Sequence, residues 1–308
     1  MSAADNEAEM LMFCASCGTT GGDDIKLMKC ACKLVKYCSV ECQKDHRSQH
    51  KKTCKKRVAE LQDEISFKQP ESTHDGDCPI CCLPLPIDHS KCNLMSCCSK
   101  LICIGCDYAS QKSDIERKIP CKCAFCREVL PSTEEEANKQ RMKRIEANDP
   151  VALRHFGSGK CNEGDHQSAF EYWTRASALG DAEAHHHLSI FYNKGIFVEK
   201  DEKKELHHLK EAAIGGHPSA RHDLGCMEGE HGQHDRAAKH IIIAAKLGHD
   251  LSLKNLKVLY KAGHVSKDDF TAALRGYQAA IAATKSPQRE EAAEVYKNYS
   301  PTGWRGPA

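Results

Sequence analysis

The sequence predicts a multidomain fold: two small cysteine-rich modules followed by an all-α solenoid of two-helix repeats. Three observations support this fold class. The chain has 308 residues, which is enough for two or three domains. Eighteen of its 20 cysteines lie between Cys14 and Cys126. From Asp149 to about Ser286 the cysteines almost disappear, and one pattern recurs at intervals of 32, 36 and 32 residues.

The cysteines are expected to bind metal rather than to form disulfides. The N-terminal sequence MSAADNEAEM is acidic and is not followed by the apolar stretch of a signal peptide. No apolar run approaches the roughly 18 residues of a membrane-spanning helix. We therefore expect an intracellular protein, cytoplasmic or nuclear, in which thiols stay reduced. Its 44 basic and 43 acidic residues give a net charge of +1, which offers no overall attraction to nucleic acid or to a membrane.

The first cysteine cluster supplies eight ligands, which predicts two zinc ions. A short gap between two thiolates lets one tight turn aim both sulfurs at the same ion, and tetrahedral zinc needs two such pairs. The pairs in chain order are Cys14 and Cys17, Cys30 and Cys32, Cys38 and Cys42, and His50 and Cys54.

The strings CASC, KCACKLVKYCSVECQ and HRSQHKKTC closely resemble a MYND zinc finger. The resemblance implies that the first and third pairs hold one zinc and that the second and fourth pairs hold the other. It also implies the docking of proline-containing peptides. Cys30 and Cys32 are one residue closer than the usual pair of the family. His46 stands where the family commonly has an aromatic residue, so it either replaces a ligand or has a surface or packing role.

A basic stretch overlaps the last ligands of this cluster. From Lys44 to Arg57 the chain holds seven basic residues and one acid. Such a patch attracts phosphate, which would suit DNA. We interpret it instead as a solvated helix face, so nucleic acid is not the expected partner.

The second cysteine cluster also supplies four pairs, which predicts two further zinc ions. Cys82, Cys92 and Cys121 are left as spare thiols. Cys92 could, however, replace one of the two adjacent cysteines, Cys97 and Cys98, as a ligand. The pairs in chain order are Cys78 and Cys81, Cys97 and Cys98, Cys103 and Cys106, and Cys123 and Cys126.

The strings DCPICCLPLP, SCCSKLICIGC and CKCAFCREVLP resemble an all-cysteine variant of the RING finger. The resemblance implies a cross-brace, in which the first and third pairs bind one zinc and the second and fourth pairs bind the other. It also implies that Ile80 and Arg127 contact a ubiquitin-conjugating enzyme and its ubiquitin. The family's histidine is missing near Ser99, and Ala124 replaces the usual proline of the last pair. The alternative is that Ile80 and Arg127 only pack the fold.

The repeats are recognised from aligned small and apolar positions. A helix hairpin of this kind cannot bury its apolar face alone and stacks on the next copy. The pattern resembles Sel-one-like repeats, relatives of the tetratricopeptide repeat, which implies a protein-binding platform. Thr284 replaces the glycine that closes the other copies, as a capping copy would allow. The aligned positions are Ala152, Ala184, Ala220 and Ser252, then Phe156, Leu188, Leu224 and Leu256, then Gly180, Gly216 and Gly248.

No catalytic residue is predicted. The sequence has no Gly-rich phosphate loop, nucleophile elbow or paired-carboxylate signature, and each recognisable zinc site has four ligands and therefore no open position for water. The consecutive residues His185, His186 and His187 point in different directions on a helix, so we interpret them as a partly solvated face.

These patterns together predict three domains: a first zinc module at residues 14–54, a second zinc module at 75–131, and helical repeats at 149–286. Four zinc ions are expected. The expected function is ubiquitin ligation, in which the second module recruits the conjugating enzyme while the first module and the repeats bind protein substrates or peptides. The alternative is a non-catalytic scaffold or transcriptional co-regulator. We expect the repeats to fold independently of zinc.

Overall fold

The computed structural model describes residues 12–22 and 25–297. The chain forms two compact units, one ending at Lys68 and the other beginning at Gln69. The first unit contains the first zinc module, and the second unit contains the second zinc module together with the repeats. Among the residues described, no helix has the length and apolar character that a membrane span requires.

In the part of the first unit that the structure describes, a small strand pair precedes one long helix. Strands β1 (Met28–Lys29) and β2 (Lys36–Tyr37) pair antiparallel. Helix α1 (Val40–Ser66) begins at Ser39, whose hydroxyl accepts a hydrogen bond from the amide of Cys42 at 3.2 Å. The helix therefore starts beside one ligand pair and carries the last ligands of the module on its next turns.

The second zinc module is built from short elements around buried cysteines. A 3-10 helix (His89–Lys91) leads into strand β3 (Cys92–Leu94), which pairs antiparallel with β4 (Leu101–Cys103). Helix α2 (Ile104–Glu116) follows directly. The module has too few apolar side chains for a conventional core, so its cysteines fill much of the interior.

The repeats form the predicted two-helix solenoid. One helix precedes four hairpins of consecutive helices, and each hairpin packs on the next. Leu188, Leu224 and Leu256 are buried as predicted, whereas Phe156 is only partly buried and Leu153 takes the central place of the first copy. The helices are α3 (Glu134–Glu146), α4 (Pro150–Asn162), α5 (His166–Ala178), α6 (Ala182–Lys194), α7 (Glu202–Ile214), α8 (Pro218–Glu230), α9 (His234–Lys246), α10 (Asp250–Lys261) and α11 (Lys267–Ala283).

Glycines act at two kinds of position in the solenoid. Gly180, Gly216 and Gly248 follow the second helix of the first three copies with φ of +87°, +85° and +93°, a region that side chains disfavour. Gly225 instead lies where α8 and α9 cross, because a Cβ atom there would be 2.9 Å from Cδ1 of Ile241. The first set was predicted from the sequence, and the second was not.

A further helix, α12 (Pro287–Tyr296), lies beyond the predicted end of the repeats and packs on α2. Arg289 donates hydrogen bonds to the carbonyls of Leu83 and Pro84 at 3.1 and 2.7 Å and to Cys81 Sγ at 3.3 Å. The array therefore packs against the second zinc module instead of standing apart from it.

Candidate metal centres

The structure brings the predicted ligands together in four groups. In each group the ligand atoms all lie within 4.8 Å of one another. The second module alternates its pairs between two groups, which is the cross-brace arrangement. The groups are Cys14, Cys17, Cys38 and Cys42; Cys30, Cys32, His50 and Cys54; Cys78, Cys81, Cys103 and Cys106; and Cys97, Cys98, Cys123 and Cys126.

The sulfur–sulfur distances fit zinc. Tetrahedral ligation with Zn–S bonds of about 2.3 Å places two sulfurs about 3.8 Å apart, whereas a disulfide bond is about 2.05 Å. The four groups give distances of 3.5 Å for Cys17 and Cys38, 3.5 Å for Cys30 and Cys54, 3.8 Å for Cys81 and Cys103, and 3.3 Å for Cys97 and Cys126. All 20 cysteines are free of disulfides. These residues are suited to four structural zinc ions.

A common turn presents three of the four CxxC pairs. The residue after the pair has a left-handed backbone, with φ of +77° at Gly18, +55° at Cys82 and +63° at Arg127. In each case its amide donates to the carbonyl of the first cysteine of the pair, at 2.9 to 3.0 Å. The turn folds both thiols to one side. Cys82 and Arg127 thus have a backbone role that the sequence analysis did not anticipate.

The adjacent pair of the second module uses the same turn in a displaced form. The amide of Ser99, which has φ of +54°, donates to the carbonyl of Met95 at 2.8 Å. Met95 therefore occupies the turn position that the first cysteine has in the other pairs. The ligand missing at that position is supplied by Cys97, next to Cys98. Cys92 lies outside all four groups, in β3 opposite Cys103. Burial raises the pKa of Cys92 to about 12, which favours the neutral thiol.

His46 also lies outside the four groups, next to a ligand. Its ring stacks on that of His50 with centroids 5.5 Å apart, and its Nδ1 is 3.0 Å from the hydroxyl of buried Tyr37. His50 Nε2 is 3.1 Å from Cys32 Sγ. His46 therefore supports the ring of His50 from the neighbouring turn of α1, an arrangement typical of residues that orient metal ligands.

The first module matches a known family. The family model described as MYND finger matches residues 14–54. Residues 14–54 are a MYND finger. Its two groups of ligands follow the pairing that the resemblance implied, and MYND fingers are modules for protein–protein interaction.

Comparison of the whole chain gives partial likenesses. No curated protein matches it. Among solved structures it is similar to a Sel1 repeat protein from Oxalobacter formigenes, with 27% identity and a TM-score of 0.42 over 50% of this chain and 66% of that one. It is also similar to c5321, a protective antigen of uropathogenic Escherichia coli strains displaying an SLR fold, with 21% identity and a TM-score of 0.39 over 58% of this chain and 39% of that one. Each match thus covers less than two thirds of the similar protein's own length.

Ile80 and Arg127 lie on the turns of two different zinc groups. Ile80 is 41% exposed, and the side chain of Arg127 is 53% exposed. The guanidinium of Arg127 reaches back to α2, where it lies 3.5 Å from Asp114 Oδ1 and 3.4 Å from Ser110 Oγ. Asp114 is buried and also accepts a hydrogen bond from the amide of Lys122. Arg127 is accessible but is already partnered.

Proposed function

We propose that the protein is a RING-type ubiquitin ligase in which the MYND finger and the repeats select the substrate. The observation that carries the proposal is the accessibility of Ile80 and Arg127 on the cross-braced second module. In the RING family these positions contact the conjugating enzyme and ubiquitin. Each side chain is anchored by a turn that zinc would make rigid, so the two contacts would be held in fixed places.

The chemistry would belong to the bound partner. A substrate lysine amine attacks the thioester carbonyl that links ubiquitin to the conjugating enzyme. The new C–N bond forms, the C–S bond breaks, the thiolate of the enzyme leaves and the amine loses a proton. The second zinc module would contribute by holding the thioester in a reactive orientation, and no residue of this chain would form a covalent bond.

Substrate choice would fall to the other modules. The MYND finger exposes apolar side chains, among them Ile25, Met28 and Val40, which suit an apolar or proline-containing peptide. The stacked repeats offer an extended surface of the kind that repeat proteins use for partners.

The test is discharge of a ubiquitin-loaded conjugating enzyme to free lysine, run with a panel of such enzymes. We expect the wild-type protein to accelerate discharge and Ile80→Ala to reduce this acceleration about 10-fold or more, as for other central interface residues. Val258→Ala is the matched control, because Val258 is an apolar side chain that is 65% exposed and belongs to helix α10 rather than to the second zinc module. Zinc content should be equal in all three proteins.

A non-catalytic scaffold is the second candidate function. It is favoured by the contact between Arg127 and Asp114, which gives the arginine a structural task, and by Ala124 in the last cysteine pair. Absence of acceleration with every conjugating enzyme, in protein that carries its zinc, would select the scaffold.

A further inference from the structure

Four side chains outside the cysteine clusters converge where the second zinc module meets the second repeat. They are His74, Asp75, His89 and Glu183, which we call the histidine–carboxylate group. Their ligand atoms all lie within 4.8 Å of one another. The first two precede the first cysteine pair of the module, His89 begins the 3-10 helix, and Glu183 lies in the first turn of α6. Three separate segments thus contribute to one point.

The distances within this group suit a shared ion better than direct hydrogen bonds. His74 Nε2 lies 3.4 Å from Glu183 Oε2 and 3.6 Å from Asp75 Oδ1. Hydrogen bonds from N–H to oxygen are usually about 2.9 Å. Two ligands of tetrahedral zinc with bonds of 2.0 to 2.2 Å lie about 3.4 Å apart. Only His89 Nε2 and Asp75 Oδ2 are within a short hydrogen-bond distance, at 2.8 Å.

The charges around the group also favour a cation. The guanidinium of Arg154 donates to Glu183 Oε2 at 2.9 Å and to Asp181 Oδ2 at 3.2 Å. The side chains of Asp75, Asp181 and Glu183 are 6%, 8% and 17% exposed. Asp181 and Glu183 therefore share one arginine, whereas Asp75 faces the two histidines of the group. A divalent cation would offset the two negative charges that Arg154 leaves among these three mostly buried carboxylates.

The backbone holds the ligands in place. The amide of His74 donates to the carbonyl of Gly216 at 3.1 Å, and the His74 ring stacks on His217 with centroids 4.4 Å apart. Gly216 has φ of +85°, and a Cβ atom there would be 3.0 Å from the Ser72 carbonyl oxygen. The chain before the zinc module is therefore fixed against the repeats. His89 is 41% exposed, which leaves a route for an ion from solvent.

We propose that the histidine–carboxylate group binds a fifth zinc ion, which pins the second zinc module to the second repeat. Two imidazoles and two carboxylates form a ligand set that zinc accepts. Four protein ligands from three segments make a closed site, so the ion has a structural role. This site contains no thiolate, which distinguishes it chemically from the four cysteine-rich groups.

The test is a count of bound zinc in the intact protein, purified without a polyhistidine tag and dialysed against a buffer that fixes free zinc. Native mass spectrometry should find five zinc ions in the wild type and four in His89→Gln. The exposed position of His89 allows this variant to fold. His231→Gln is the matched control, because His231 is also exposed and has one carboxylate, that of Glu202, at 3.5 Å. It should retain five ions.

A second measurement separates the site from a simple hydrogen-bond network. Protein stripped to four zinc ions by a mild chelator should melt at a higher temperature when zinc is restored, and His89→Gln at four ions should show no such increase. Four ions in the wild type with zinc present, or an equal response of His89→Gln and wild type to added zinc, would overturn the proposal.

Discussion

At the scale of single residues, the residue after four of the cysteine pairs is held in a backbone conformation that most side chains avoid. Lys33, Cys82, Ser99 and Arg127 all have φ between +54° and +63°. For residues other than glycine this region costs about 1 kcal/mol. The turn persists because it aims two ligands at one ion, and structural zinc contributes on the order of 10 kcal/mol to such modules.

Cys82→Gly tests this interpretation. Cys82 is exposed and lies outside the ligand groups, and glycine adopts its φ of +55° without strain. We expect unchanged zinc content and a free energy of unfolding raised by up to about 1 kcal/mol. The gain is the relief of the left-handed conformation, and it is reduced because glycine makes the unfolded chain more flexible. Native mass spectrometry and chemical denaturation are the measurements. Loss of one zinc ion would instead identify Cys82 as a ligand.

At the scale of secondary-structure elements, two histidine side chains lie within hydrogen-bond distance of one serine hydroxyl where α8 contacts α10. Ser252 occupies the aligned position that is alanine in the other copies, and it is fully buried. Its Oγ lies 2.9 Å from Nδ1 of both His222 and His249. Burial lowers the pKa of His249 to about 4, despite the opposing effect of Asp223 and Asp250, and also lowers the pKa of His222.

This pair predicts acid sensitivity in the last repeat. Between pH 6.5 and about 4 the side chain of His249 binds a proton in the unfolded chain but not in the folded chain. The free energy of unfolding therefore falls as the pH falls through this window. His249→Asn removes the proton site and keeps a residue suited to the start of a helix. Its free energy of unfolding relative to wild type should increase from pH 7 to pH 5, measured by denaturation. His231→Asn, at an exposed histidine, is the control. An unchanged difference would contradict the prediction.

At the scale of the whole second unit, α12 joins the end of the repeats to the second zinc module. Arg289 is buried and donates to four acceptors, the carbonyls of Leu83, Pro84 and Thr284 and the sulfur of Cys81. A donor to a zinc-bound sulfur supports the ligand from outside the metal's own shell. No substituent fits at Gly105, because a Cβ atom there would be 2.9 Å from the Arg289 amide nitrogen.

Arg289→Leu should therefore destabilise both parts of this unit. Removal of the guanidinium leaves buried carbonyls and a thiolate without a donor, at a cost of about 3 kcal/mol. We expect this loss in the free energy of unfolding and faster release of one zinc ion to a chromogenic chelator. Arg275→Leu, on the exposed face of α11, is the control. Equal release rates for wild type and Arg289→Leu would show that the contact does not support the metal group.

The sequence by itself determined the local structure of this protein, that is, its ligand pairs and its helix hairpins. Cysteine spacing predicted the ligand pairs, because one tight turn can aim two closely spaced thiols at the same ion and zinc needs two such pairs. Which pairs share an ion was implied by the resemblance to the MYND and RING fingers. The aligned leucines and glycines predicted the hairpins, because a helix buries one stripe and must end at a residue that tolerates its cap. Leu188, Leu224 and Leu256 are buried as that pattern requires.

Only the tertiary structure decided how these parts meet in the second unit. Arg289 reaches Cys81, and Glu183 reaches His74, across long stretches of chain. Periodicity shows which face of an element is apolar, but it does not show which distant segment will cover that face. The lone polar residues that make these contacts have no periodic signal of their own. Their role comes from burial and from the partners that packing supplies.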